Sequence, residues 1–163
     1  MAGGLNVVEL FAGTICGGLR MALEAGYTVA CYTAVEIDDL SRAIAWRVIG
    51  KFQEEFPRQL PDNEIRGCFK RLPHDICFVG EEHIRDLLRT NGAIHFIGAG
   101  WQCQSMSLAG HHQGANDDRF LPLYDLIKII NYLQANQFPK PLYLIENTWP
   151  GRLGEYLLVD QAA

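Results

Sequence analysis

The chain of 163 residues is predicted to fold as a single α/β domain, with a mostly parallel sheet flanked by helices. Three observations carry that prediction. Apolar, strand-like runs alternate with helix-like segments from end to end, the order that βαβ units produce. A glycine-rich turn, Phe11-Ala12-Gly13-Thr14-Ile15-Cys16-Gly17-Gly18, stands between the first apolar run and the first helix. Right-handed crossovers then bring this turn together with Glu36, Asp75, Cys103 and Glu146, all at the carboxyl ends of strands, where open α/β sheets bind ligands.

Taken in order, residues 7–10 are the first strand, and Leu19, Met21, Ala22, Leu23 and Ala25 supply a short helix that Gly26 stops. Residues 27–35, rich in β-branched and aromatic side chains, read as the second strand and end at Glu36. Asp38 or Asp39 caps a helix whose apolar positions are Leu40, Ala43, Ile44, Trp46 and Val48, ending before Gly50. Residues 51–73, with three prolines, read as a long loop, and residues 75–79 as a short edge strand. Residues 81–89 form a helix with acids first and Arg89 last, closed by Asn91-Gly92. The run Ala93-Ile94-His95-Phe96-Ile97 reads as a buried strand that delivers Cys103 in the turn Gly98-Ala99-Gly100-Trp101-Gln102-Cys103-Gln104-Ser105-Met106-Ser107. Asp117 or Asp118 opens a long helix with Leu123, Leu126, Ile127, Ile130 and Leu133 inward, and residues 142–145 are the last strand, ending at Glu146-Asn147.

Composition narrows the function classes. Hydrophobic residues make up 48% and charged residues 20%, an ordinary globular balance. No apolar run reaches the roughly 18 residues of a membrane span, and the N-terminus has no secretory pattern. Five cysteines with no CxxC pair indicate neither a disulfide framework nor a zinc site. Cys16, Cys31, Cys68 and Cys77 read as buried small hydrophobes. The net charge of −5 lacks the basic footprint of a self-sufficient nucleic-acid binder.

The chemistry centres on Cys103 and the glycine turn. A thiolate at a strand end can act as a nucleophile. A glycine turn after strand one, with a carboxylate ending strand two, is a nucleoside-binding arrangement in which Glu36 accepts from ribose hydroxyls. The segment does not match GxGxxG, which counts against a dinucleotide but not against an adenosyl cofactor.

In these motifs the chain resembles the N-terminal, catalytic half of the cytosine-C5 DNA methyltransferase family. Phe11-Ala12-Gly13 with Gly17-Gly18 resembles its S-adenosylmethionine loop, Val35-Glu36-Ile37-Asp38 its second motif and His74-Asp75-Ile76 its third. The segment Trp101-Gln102-Cys103-Gln104-Ser105-Met106-Ser107-Leu108-Ala109-Gly110 is similar to the catalytic Pro-Cys-Gln loop. Asp118-Arg119-Phe120-Leu121 resembles the arginine segment that follows, and Leu144-Ile145-Glu146-Asn147 the Glu-Asn-Val motif. The resemblance implies a Rossmann-like S-adenosylmethionine-dependent methyltransferase fold, with residues 1–163 as one partial catalytic domain that stops before the C-terminal strands and the recognition domain.

The resemblance further implies a reaction. A cytosine flipped out of DNA meets Cys103, whose thiolate adds to carbon 6; Glu146 holds the N3 edge; carbon 5 takes the methyl group; and loss of the carbon 5 proton expels Cys103. Arg119 orients the base. Phe11, Ala12, Gly13, Gly17, Gly18, Glu36, Ile37, Asp75, Ile76 and Gln102 bind S-adenosylmethionine, with no metal. DNA is the implied partner, with a second methyltransferase subunit or another copy of the chain supplying the rest, and no membrane. The implied location is intracellular, in a bacterium, a phage-infected cell or a nucleus. Gln102 departs from the family's proline, the glycine loop is about two residues longer than the compact family form, and Thr148 replaces the usual valine. These departures motivate the alternative expectation of an inactive domain that binds and regulates a partner methyltransferase. In either case little activity is expected of the isolated chain. A cysteine hydrolase would need a histidine beside Cys103, and none stands at a suitable spacing.

Overall fold

A computed structural model describes residues 4–60, 65, 67–100 and 121–146. Along the chain they form β1 (Leu5–Leu10), α1 (Gly17–Glu24), β2 (Val29–Val35), α2 (Asp39–Glu55), a 3-10 turn (Ile76–Phe78), α3 (Glu81–Asn91), β3 (Phe96–Gly100), α4 (Leu121–Asn136) and β4 (Leu142–Glu146). The four strands make one sheet in the order β2-β1-β3-β4, and every pairing is parallel. This is the α/β architecture the sequence predicts, consistent with a Rossmann-like methyltransferase fold.

Period-two alternation along the strands sorts side chains into two core layers. Val7, Tyr32 and Ala34 face a layer closed by Leu19 and Leu23 of α1 and by Ala45, Ile49 and Phe52 of α2. Val8, Leu10, Val35 and Ile97 face the other layer, closed by Ile84 and Leu87 of α3 and by Leu126, Ile129 and Leu133 of α4. With both faces covered, the central strands are apolar throughout except at Asn6, Glu9 and Thr33, which are buried polar residues.

Several elements differ from the sequence expectation, each for a local reason. Residues 75–79 form no strand. The Asp75 side chain accepts the Cys77 N–H at 2.9 Å, a local bond that turns the backbone into a 3-10 helix. Asp75 therefore stands before a short helix rather than at a strand's carboxyl end. Helix α2 passes through Gly50 to Glu55, because Ala45, Ile49 and Phe52 form the stripe that packs on the sheet. The predicted inward residues Leu40, Ile44 and Trp46 are exposed by 68%, 38% and 48%. Strand β3 starts at Phe96 and keeps Gly98 and Gly100 inside it. Gly98 lies against α1, where a Cβ would meet the Gly18 Cα at an ordinary contact distance of 3.5 Å. Ile127, predicted inward on α4, is exposed, and Ile129 takes the core position instead. The predicted opening of that helix at Asp117 or Asp118 lies outside the described residues.

Candidate functional site at the carboxyl edge of the sheet

Strand order reverses between β1 and β3: the chain leaves β1 toward β2 on one side and later returns to β3 on the other. In open α/β sheets a crevice forms outside the carboxyl ends at such a reversal. The glycine loop follows β1 there. Phe11, Gly13 and Cys16 all have positive φ, at 58°, 57° and 47°, so the loop arches over the strand end in three left-handed steps. Its base is tied to β2 by the Ala12 N–H, which donates to the Val35 carbonyl at 3.0 Å.

Glu36, immediately after β2, closes the loop from the side. One carboxylate oxygen accepts the Gly13 N–H at 2.9 Å and the other accepts the Asp38 N–H at 2.9 Å. Each oxygen keeps a lone pair, so Glu36 can still accept from hydroxyls of a bound nucleoside. Asp38 caps α2 through the Ser41 N–H at 2.6 Å, and the Ser41 hydroxyl together with that N–H holds its carboxyl below the usual range. The sequence thus places Glu36 and its neighbour in their expected roles as strand end and helix cap.

Across the sheet, β3 and β4 end level with each other, Gly100 pairing with Glu146 in register. The Glu146 carboxylate leans over its partner: a Cβ on Gly100 would lie 3.2 Å from Glu146 Oε2. Glu146 is exposed at this edge. Cys103, Gln102 and Arg119 lie outside the described residues.

The remaining predicted positions divide between edge and core. Phe11, Gly13 and Gly17 are half-buried in the loop, whereas Ala12 and Gly18 are buried. Ile37 is 62% exposed beside Glu36. Asp75 is half-buried, and Ile76 sits in the core layer with Val8, Leu10 and Val35. Cys16, Cys31 and Cys68 are buried thiols, as expected. Burial pushes Cys16 up to about 12, chemically inert at neutral pH. Cys77, expected in the core, is instead exposed on the 3-10 turn.

One group was missed from sequence. Glu9 lies within β1, almost fully buried. Its Oε1 accepts the Gly18 N–H at 3.0 Å, and its Oε2 accepts the Leu19 N–H at 3.3 Å and the Tyr32 hydroxyl at 2.9 Å. Cys16, at the N-cap of α1, offers no capping bond, so Glu9 does that work from the strand beneath. Burial raises its carboxyl above the ordinary range, opposed by the bonds from Gly18, Tyr32 and Leu19. The available signal was an acid inside the apolar run Val7-Val8-Glu9-Leu10.

Among the described residues no group of three His, Cys, Asp or Glu side chains could hold a metal ion. No described helix is long and apolar enough to cross a membrane. The family model for C-5 cytosine-specific DNA methylase matches residues 5–148 of the chain. A comparison with curated proteins found no match.

Proposed function

Because the chain belongs to the C-5 cytosine-specific DNA methylase family, we propose that it methylates carbon 5 of a cytosine in DNA, with Cys103 as nucleophile and Glu146 as its acid partner. The observation that carries this reading is the register of β3 and β4. Gly100 and Glu146 are paired at the last rung of the sheet. Cys103 follows Gly100 by three residues, a chain span of at most about 10–11 Å. That short span supports reading the thiol as the partner of the Glu146 carboxylate, beside the crevice that the glycine loop borders.

The reading assigns each residue a task. The Cys103 thiolate forms a bond to carbon 6 of a cytosine flipped from the helix, and the electron pair of the 5,6 double bond moves to carbon 5. Glu146 holds the N3 and amine edge and shares a proton with N3, which favours that movement. S-adenosylmethionine supplies the methyl group when bound. Removal of the carbon 5 proton then re-forms the double bond and releases the Cys103 thiolate. Arg119 orients the base.

The loop suits an adenosyl ligand. Phe11 gives an aromatic face, Ile37 an apolar one, and Glu36 has free lone pairs for ribose hydroxyls. Asp75 takes the adenine amine, and Ala12, Gly13, Gly17, Gly18, Ile76 and Gln102 complete the proposed binding set. DNA is the partner, joined by a second subunit or another copy of the chain, and the setting is intracellular.

Transfer of tritiated methyl groups to a cytosine-rich duplex, with the second methyltransferase subunit supplied, tests the reading. Cys103→Ser and Glu146→Gln are expected to lower transfer by at least about 100-fold while leaving cofactor binding intact. Full transfer by Cys103→Ser would overturn the assignment. Absence of cofactor binding by the folded chain would favour a non-catalytic partner of another methyltransferase.

A further inference from the structure

Glycine loops that hold dinucleotides leave the first-turn N–H groups of the following helix free for the pyrophosphate. Here those donors are already engaged. The Glu9 carboxylate reaches the Gly18 and Leu19 N–H groups from the sheet side, at 3.0 and 3.3 Å, and the Tyr32 hydroxyl completes its partners at 2.9 Å. All three are donors, the set an ionised carboxylate requires. The carboxylate lies against both glycines: a Cβ on Gly18 would lie 3.4 Å from the Glu9 Cδ, and one on Gly98 would lie 3.6 Å from its Cγ, ordinary contact distances.

We propose that Glu9 sets the charge preference of the loop: its carboxylate fills the helix terminus from beneath, bars phosphate and sulfate, and reserves the loop for an adenosyl ligand without phosphates. The inference rests on the adenosyl-cofactor reading above. A helix N-terminus attracts anions through its free donors and its partial positive charge. Glu9 occupies the donors and cancels the charge, so a second oxyanion at the loop meets repulsion across a short, water-poor path. The first turn of α1 carries no acidic residue of its own, which leaves this role to the strand.

The experiment uses the full chain and titrates S-adenosylhomocysteine by calorimetry at about pH 8, in sodium sulfate and in sodium chloride of matched ionic strength. Wild type is expected to bind with less than about a twofold difference between the two salts. Glu9→Gln, whose amide can bond both Gly18 and Tyr32, is expected to bind at least about fivefold more weakly in sulfate, because sulfate now competes at the helix terminus. Equal affinities in the two salts for a folded Glu9→Gln chain would overturn the inference, as would sulfate competition in wild type. Where Glu9→Gln does not fold, Tyr32→Phe decides: it keeps the carboxylate, so it must stay insensitive to sulfate, and competition there overturns the inference. A folded wild type that binds no S-adenosylhomocysteine in either salt fails the cofactor reading itself, a result distinct from the others.

Discussion

Glu9 stabilises the fold in a pH-dependent way, unlike the apolar residues around it. Burial raises its carboxyl above the ordinary carboxylate range, so the folded chain holds that proton more tightly than the unfolded chain does. The resulting stability is present in full below the ordinary carboxylate range and is lost as pH climbs through the raised value. Urea unfolding of wild type and Glu9→Gln from about pH 4 to pH 8 should show wild type losing ground to the variant as pH rises; parallel profiles would contradict a raised Glu9. Gly100 offers a separate test at the same scale. Gly100→Ala puts a Cβ about where Glu146 Oε2 now approaches, at 3.2 Å. The expected result is a methyl-transfer rate lowered by about 10- to 100-fold with the thermal midpoint little changed. A normal rate would place the working carboxylate elsewhere.

At the scale of elements, the sheet's lower edge is pinned by a buried amide. Gln137 accepts the Ile94 N–H at 2.9 Å and donates to the Ile94 carbonyl at 2.6 Å and the Pro139 carbonyl at 2.8 Å. It ties the end of α4 to the chain entering β3. Gln137→Ala leaves those buried groups without partners and should cost about 2–3 kcal/mol in chemical denaturation; a loss under about 0.5 kcal/mol would mean water replaces the amide. Such side-chain ties also explain what the sequence revealed and what it hid. Strands β1, β2 and β4 were readable because apolar and β-branched runs had clear ends at Phe11, Glu36 and Glu146. Strand β3 lies three residues beyond its expected place because glycine usually signals a turn, whereas Gly98 and Gly100 pair within the ladder, Gly98 with Glu9 and Leu144 and Gly100 with Glu146. The Asp75 cap and the inward stripe Ala45–Ile49–Phe52 depend on local bonds and on which helix face meets the sheet. Neither is visible in a count of apolar residues. For the site, Glu36 and Glu146 were found because they end strands, whereas Glu9 was overlooked because its partners are backbone amides and a tyrosine distant in sequence.

For the whole molecule, sheet order and charge act together. The order β2-β1-β3-β4 gathers the glycine loop, Glu36 and Glu146 at one edge. The net charge of −5 works against a polyanionic partner. Fluorescence anisotropy with duplex DNA at physiological salt should therefore give a Kd weaker than about 10 μM for the chain alone; submicromolar binding would reveal a basic surface the composition does not suggest. The most direct test of Cys103 as nucleophile is a covalent adduct with DNA containing 5-fluorocytosine, whose carbon 5 fluorine cannot leave as a proton does. The chain is incubated with that DNA and S-adenosylmethionine, alone and with a recognition half supplied in trans, and the products are resolved by denaturing electrophoresis and peptide mass spectrometry. The account predicts a DNA-linked peptide carrying Cys103 and none from Cys103→Ser. Bound cofactor without an adduct, or an adduct that survives Cys103→Ser, would contradict it.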